Sequence, residues 1–296
     1  MTDKKYPLFS VLIANYNNGK YLQEAIDSVL AQTYTNWEVI IVDDRSTDDS
    51  QQIYDKYADD ERFHIFYNEK NMGCGYTKAR CAELANGECC GFLDPDDELL
   101  PEALKHMADV HMEHPEVAII YSRSYYCDER GNITGKNRLL KLNGEETYFD
   151  YRWYGSMHFA SYKNAYYKKT EGISKIAKAG VDQDLYFKVE EVGKPYVMDV
   201  FTYRYYNRKD GNAITSNKNL AKLWYWNMEV RKAACIRRGM DADSLICEDW
   251  IYIFKNIAKD AAFEKEIEIK QSRSYRLGKF LMSPFSLIKR IIRRKI

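Results

Sequence analysis

Four acids, Asp94, Asp96, Asp97 and Glu98, stand within five residues where the apolar run "CCGFL" ends and before the helix-forming "PEALKHMADVHMEHP" begins. Like charges a few ångströms apart repel by a few kcal/mol even at an effective dielectric of about 20, so the cluster calls for a positive partner. Carboxylates offer only oxygen ligands, which suits Mg²⁺ or Mn²⁺, and Mg²⁺ is commonly held by one or two carboxylates together with phosphate oxygens. The chemistry indicated is a metal carrying a phosphorylated substrate. Two further polar groups share this setting at the ends of apolar runs: Asn15-Tyr16-Asn17 after "FSVLIA", and Asp43-Asp44 after "WEVIIV".

The elements that must position these groups alternate between strand and helix signals. "LFSVLIAN" predicts a strand, "GKYLQEAIDSVLAQT" a helix with Leu22, Ile26, Val29 and Leu30 on one face, and "WEVIIVDD" a second buried strand. "STDDSQQIYDKYA" predicts a second helix, with Ser46 as its cap and Asp49 in its first turn. "RFHIFYN" reads as a third strand, "GYTKARCAELANG" as a helix closed by Gly87, and "CCGFLD" as a fourth strand, with Pro101 suited to the first turn of the helix that follows. Strands that are apolar throughout predict a mostly parallel sheet with helices on both faces, an α/β fold. In such sheets ligands bind at the carboxyl ends of the strands, so the three polar groups are expected to share one crevice. Beyond "VAIIYSRSYY" the chain becomes irregular and rich in tyrosine, and from about Asn217 it turns helical.

Other chemistries fit less well. A calcium-binding loop starting at Asp94 would need Gly at its sixth position and Glu at its twelfth, where Leu99 and Lys105 stand. An aspartyl-phosphate enzyme with Asp94 as nucleophile is an alternative, but that motif normally follows the first strand and not the fourth. No G-x-x-x-x-G-K-[ST] loop is present, and "GCG" at residues 73 to 75 does not follow a strand. The spacing of His106, His111 and His114 does not gather three ligands on one helix face, so these are expected to be solvated. A bland reading of the acids is a solvated helix N-terminus, where the helix dipole favours carboxylates.

The order of the motifs decides among these. "FSVLIANYNNGKYLQEAIDSVLAQTYTNWEVIIVDDRSTDDS", then "NMGCGYTKARCAELANGE", then "FLDPDDELLPEAL", closely resemble the family 2 inverting glycosyltransferases with the GT-A fold, strongly over residues 7 to 124. A weaker likeness continues through "GVDQDLYFKVEEVGKPYVMD" and "YRYYNRKDGNAITS". The resemblance implies a GT-A, Rossmann-like sheet with an irregular acceptor-side second half and a helical C-terminus. It implies three regions: a nucleotide-sugar-binding half (1–124), an acceptor and catalytic-base half (125–216), and a C-terminal helical region with a basic tail (217–296).

Residue roles follow by the same likeness. Ala14 and Tyr16 belong to the nucleotide-sugar site, with Tyr16 against the base, and Asp44 accepts from uracil N3–H; cytosine presents an acceptor there, so UDP is preferred to CDP. Arg80 matches a position near the diphosphate. Asp94 and Asp96 form the D-x-D, and Asp96 with Asp97 is expected at the metal. Asp182 is expected to be the general base that deprotonates the acceptor hydroxyl, with Asp184 the alternative, although Val181 stands where the family usually has Glu. Many relatives carry a histidine after Y-R-Y; here Arg208 and Lys209 stand in that region, and a cation contact to the diphosphate is the expected substitute. Trp153, Tyr154 and His158 are acceptor-site candidates, since aromatic faces suit sugar rings.

The net charge is zero, yet residues 270 to 296 carry nine Lys and Arg and no acid, leaving −9 on the remainder. An acidic body argues against nucleic acid as a partner. No apolar run reaches the roughly 18 residues of a membrane span, and seven cysteines without a C-x-x-C pair fit a reducing cytoplasm. "FSLIKRIIRRKI" places Phe285, Ile288, Ile291 and Ile292 on one helical face flanked by cations, the pattern of an interfacial helix on the inner face of the cytoplasmic membrane. A lipid-linked saccharide acceptor would then lie within reach. The alternative is that this face packs on the body or on a second subunit, giving a homodimer. The functional expectation is hexosyl transfer from a UDP-sugar to a saccharide in surface polysaccharide synthesis, against an aspartyl-phosphate enzyme or a nucleotide-sugar-binding module without turnover.

Overall fold

The computed structural model describes residues 6–151, 157–208 and 220–245. The chain divides into a body, Met1–Met240, and a second unit, Asp241–Ile296. Trp153, Tyr154, Lys209 and the basic tail lie outside the described residues.

The body begins with β1 (Phe9–Asn15), α1 (Gly19–Leu30), β2 (Trp37–Asp43), α2 (Ser50–Tyr54), β3 (Phe63–Tyr67), α3 (Cys74–Leu84) and β4 (Cys89–Phe92). It continues with β5 (Glu98–Leu99), α4 (Ala103–Glu113), β6 (Val117–Cys127), β7 (Ile133–Lys136), β8 (Ala160–Lys163), α5 (Asn164–Tyr167), α6 (Val181–Glu190), β9 (Lys194–Tyr206) and α7 (Leu220–Arg237). One sheet runs in the order β3-β2-β1-β4-β8-β6-β9-β5, with β7 beside β6. The first four strands of that order are parallel; β8 then joins β4 and β6 antiparallel, and β9 runs parallel to β6. β2 is buried along its whole length, because helices cover both faces, and this is why "VIIV" shows no alternation.

The core gathers Phe9, Val11 and Ile13 of β1, Val39 and Ile41 of β2, Leu22, Ile26 and Val29 of α1, and Leu104 and Met107 of α4. Leu30, expected on the buried face of α1, is 40% exposed at the helix end. The second helix also starts later than the motif suggested. Asp48, not Ser46, organises the turn: its carboxylate accepts from Gly19 N–H at 2.8 Å and from the Ser50 hydroxyl at 2.6 Å, and α2 begins at Ser50. Ser46 instead accepts the N–H of Asn17 at 2.9 Å, tying the ends of the first two strands together. His111, expected to be solvated, is buried on α4 with Nε2 3.0 Å from the Ser161 hydroxyl, and burial lowers its pKa to about 3. It therefore packs as a neutral ring.

Candidate active site

The carboxyl ends of β1, β2 and β4 open onto one cleft of about 770 Å³. Ala14, Tyr16, Asp44, Asp94, Asp96, Asp97, Asp182 and His158 all line it. Asp182 arrives from the other half of the chain, in the first turn of α6.

At the end of β2 the two aspartates separate in function. Asp43 accepts from the Tyr54 hydroxyl and the Ser46 N–H, both at 2.7 Å, and holds the scaffold. Asp44 accepts from Asn68 Nδ2 and Met72 N–H at 2.7 Å through Oδ1, and from Gly73 N–H at 2.8 Å through Oδ2. A carboxylate oxygen offers two lone pairs, so three donors fix this group and leave it acceptor capacity toward the cleft. The backbone beside each nucleotide-side residue is left-handed, with Asn17 at φ 55° and Arg45 at φ 67°, a conformation that disfavours residues with a Cβ and is concentrated at functional sites. Tyr16 is 46% exposed, so its ring is accessible to a flat partner.

The acid loop after β4 is held from below. Asp97 is buried: Oδ2 accepts from the Tyr203 hydroxyl at 2.9 Å and Oδ1 from the Tyr206 N–H at 2.7 Å. Burial, with Asp96 and Asp94 nearby, raises its carboxyl well above the usual carboxylate range. Each oxygen of Asp97 thus already accepts one hydrogen bond from β9, which anchors the acid loop, whereas Asp96 has its main-chain oxygen held and its side chain at the cleft. Arg208 likewise has a different task from the expected diphosphate contact. Its guanidinium lies between the rings of Tyr21 and Tyr206, 4.0 Å from each, and donates to the main-chain oxygen of Asp96 through Nε at 3.1 Å and Nη2 at 2.8 Å. Arg208 thus fixes the backbone from which the Asp96 side chain projects.

Asp94 and Asp182 meet at one cation. Lys78 Nζ, on α3, is 3.0 Å from Asp94 Oδ1 and 2.8 Å from Asp182 Oδ1, with a side chain only 7% exposed. Burial opposes its charge, but the Asp182 and Asp94 carboxylates outweigh that and hold its pKa well above the ordinary lysine value. For Asp94, burial works against ionisation, and Lys78 overcomes it to hold the carboxyl below its usual range. Arg80, the cation expected near a diphosphate, is absent from the cleft lining; its Nη1 donates at 2.7 Å to Tyr67 O and to Asn68 Oδ1. Lys78 went unread in the sequence because lysine within a helix normally signals a solvated face. Its flanking Gly75, Thr77, Ala79, Cys81 and Ala82, all buried, were the available signal that this face packs inward.

Asp184, the alternative base, is buried and used structurally, accepting from Ser174 N–H at 2.7 Å and Lys188 Nζ at 2.9 Å. His158 stacks with Tyr203 and Tyr205, its ring centroid 5.3 Å from each. Tyr148, Tyr186, Trp224 and Asn227 complete that end of the wall, so α7 contributes to a cleft that the sequence had assigned to earlier segments.

Among the described residues no group of three or more His, Cys, Asp or Glu forms a ready-made metal cage. A single cleft-lining carboxylate such as Asp96 fits a hard divalent cation that takes its remaining ligands from phosphate oxygens and water.

Comparison with known proteins identifies the class. Residues 10–170, more than half of the chain, match the model of glycosyl transferase family 2, and the chain belongs to that family. It is 33% identical over 196 residues to a chondroitin synthase of Escherichia coli, covering 65% of this chain and 28% of that relative. It is 27% identical over 271 residues to a hyaluronan synthase of Pasteurella multocida, covering 90% of this chain and 27% of the relative. The chain thus spans little more than a quarter of the length of either. Among solved structures, S. aureus TarS 1-349 in complex with UDP-GlcNAc superposes with a TM-score of 0.64 at 22% identity, covering 93% of this chain and 80% of that one, which establishes the GT-A fold. Family membership removes the aspartyl-phosphate alternative.

Proposed function

We propose that this chain transfers a hexose from a UDP-sugar to a saccharide acceptor, with inversion at the anomeric carbon and with Mg²⁺ or Mn²⁺, in the assembly of a surface polysaccharide. The observation that carries this reading is the convergence of Asp94 and Asp182 on Lys78 within the cleft that Tyr16 and Asp44 also line. The polysaccharide synthases among the relatives, and a UDP-GlcNAc complex of the same fold, support the substrate class.

In this mechanism Tyr16 stacks on the base and Asp44 accepts from uracil N3–H. Asp94 and Asp96 hold the ribose side and the diphosphate side of the donor, with Asp96 as the chain's ligand to the cation. When bound, the divalent cation stabilises the charge that grows on the UDP leaving group. Asp182 takes the proton from the acceptor hydroxyl as that oxygen attacks the anomeric carbon. One base and no enzyme nucleophile give one displacement, hence inversion. His158, Tyr148 and Tyr186 offer the acceptor sugar its aromatic and hydroxyl contacts.

The direct test is a thermal-shift panel of nucleoside diphosphates with and without Mn²⁺. UDP with Mn²⁺ is expected to stabilise the fold by roughly 2.7 kcal/mol at a hundredfold excess over its Kd. Absence of any response to every nucleoside diphosphate would sink the reading.

The basic tail is assigned to the membrane surface, on sequence grounds alone. Its apolar face would be buried at the headgroup boundary, and each cation near an anionic leaflet adds about 1 kcal/mol. Deleting residues 284 to 296 is expected to abolish low-salt sedimentation with anionic liposomes. Undiminished sedimentation would leave the tail as a packing or dimerisation element.

A further inference from the structure

We propose that Lys78 is a positioning residue for the transfer step: it holds the Asp182 carboxylate at a fixed place and orientation beside the donor-binding Asp94, so that the acceptor hydroxyl meets a base already aimed at the donor. The proposal rests on the reading of Asp182 as the base.

The geometry is that of a rigid bracket. Lys78 stands on α3, in the nucleotide half of the chain, and Asp182 on α6, in the other half. These two elements are locked where they meet. Gly75 donates its N–H to Ala177 O at 3.0 Å, and a Cβ at residue 75 would overlap the main-chain oxygens of Ser174 and Ala177, so the approach of α3 to the segment before α6 requires glycine. One turn beyond Gly75, the lysine stem is buried and its Nζ lies 5.0 Å from the Phe92 ring centroid. The ammonium therefore has little freedom. It engages Oδ1 of Asp182 at 2.8 Å and leaves Oδ2 for the acceptor hydroxyl, while the bond to Asp94 Oδ1 sets the base at constant distance from the donor site.

An aspartate in the first turn of a helix, 31% exposed and without this partner, would sample several rotamers and would face Asp94 as a like charge. Misplacement of a reacting group by about 1 Å costs about 10²-fold in rate. The other ionisable groups around the pair are Cys74 on the same helix, Tyr148 and Tyr186 on the acceptor side, and His158 near Asp94, and Lys178 and Lys222 line the same cleft. Among the described residues it is Lys78 that stands in ion-pair contact with Asp182.

A double-mutant cycle in the full chain tests this. Lys78→Met is expected to lower kcat by about 10- to 100-fold, a larger change than the loss of calorimetric affinity for UDP with Mn²⁺ that follows from freeing Asp94. Lys78→Met/Asp182→Asn is expected to have a kcat no lower than that of Asp182→Asn alone, because the lysine acts on the transfer step through that carboxylate, while its bond to Asp94 bears on donor affinity. Should Lys78→Met fail to fold for want of a partner to two carboxylates, the double variant removes one of them, and its comparison with Asp182→Asn gives the same answer. Multiplied losses in the double variant would overturn the proposal, as would a loss of UDP affinity with kcat unchanged, which would make Lys78 a donor ligand. A mild effect of Asp182→Asn, by contrast, would overturn the base assignment itself.

Discussion

Asp182→Asn is expected to lower the transfer rate by about 10² to 10⁴ while UDP binding persists, because the amide keeps the size of the side chain and its acceptor oxygen but cannot take a proton. The contrast with its neighbour makes the prediction sharp. Asp184 lies two residues along the same helix turn, but its carboxylate is spent on Ser174 N–H and Lys188 Nζ. Asp184→Asn removes the nearer and more buried of the two carboxylates that pair with the Lys188 ammonium, leaving Glu171 at 3.2 Å, so it is expected to lower the melting temperature by a few degrees, with UDP-dependent turnover of the folded fraction retained. Transfer assays paired with thermal melts separate the two outcomes. If the Asp184 variant is the inactive, normally folded one and the Asp182 variant keeps its rate, the roles are reversed and the mechanism must run through Asp184.

What the sequence made legible is the part of the molecule where local pattern and tertiary environment agree. Strands that end in a polar turn at the rim of a parallel sheet put chemistry at their carboxyl ends whatever the details, so the strand pattern alone brings Tyr16, Asp44 and Asp94 to one crevice. The division of labour within adjacent acids was not legible. Asp43 and Asp44, or Asp96 and Asp97, differ only in which way a strand end or loop turns them, and the deciding partners come from far along the chain. Tyr203 and Tyr206 reach Asp97 from more than a hundred residues away. The contacts of Arg208 and Lys78 were not legible for a related reason: a cation's partner is set by tertiary contact, and its own neighbours in sequence say little about it. The likeness to the family pointed to Arg80 near the diphosphate; in the structure its Nη1 turns toward Tyr67 and Asn68, and a different α3 cation, Lys78, lies in the cleft.

Asp96→Asn is expected to weaken metal-dependent UDP binding itself, by at least about tenfold in Kd, or about 1.4 kcal/mol. The effect should be confined to the side chain. Arg208 binds the main-chain oxygen of Asp96, and the loop is further anchored through Asp97 to β9, so the backbone of the variant has no reason to move. An amide oxygen is a weaker ligand than a carboxylate for a hard cation and brings no charge to balance it, so the increment that Mn²⁺ adds to UDP affinity should shrink. Titration of UDP by calorimetry, once with Mn²⁺ and once with a chelator, isolates that increment. In chelator the variant and the parent chain should bind UDP equally weakly, because Tyr16 and Asp44 are untouched. Asp97→Asn is the counterpart: with its oxygens turned toward Tyr203 and Tyr206, it is expected to leave the Mn²⁺ increment intact. An unchanged increment in Asp96→Asn, or its loss in Asp97→Asn with the fold preserved, would show that the cation is held by Asp97 and that the acid loop reorients when nucleotide binds.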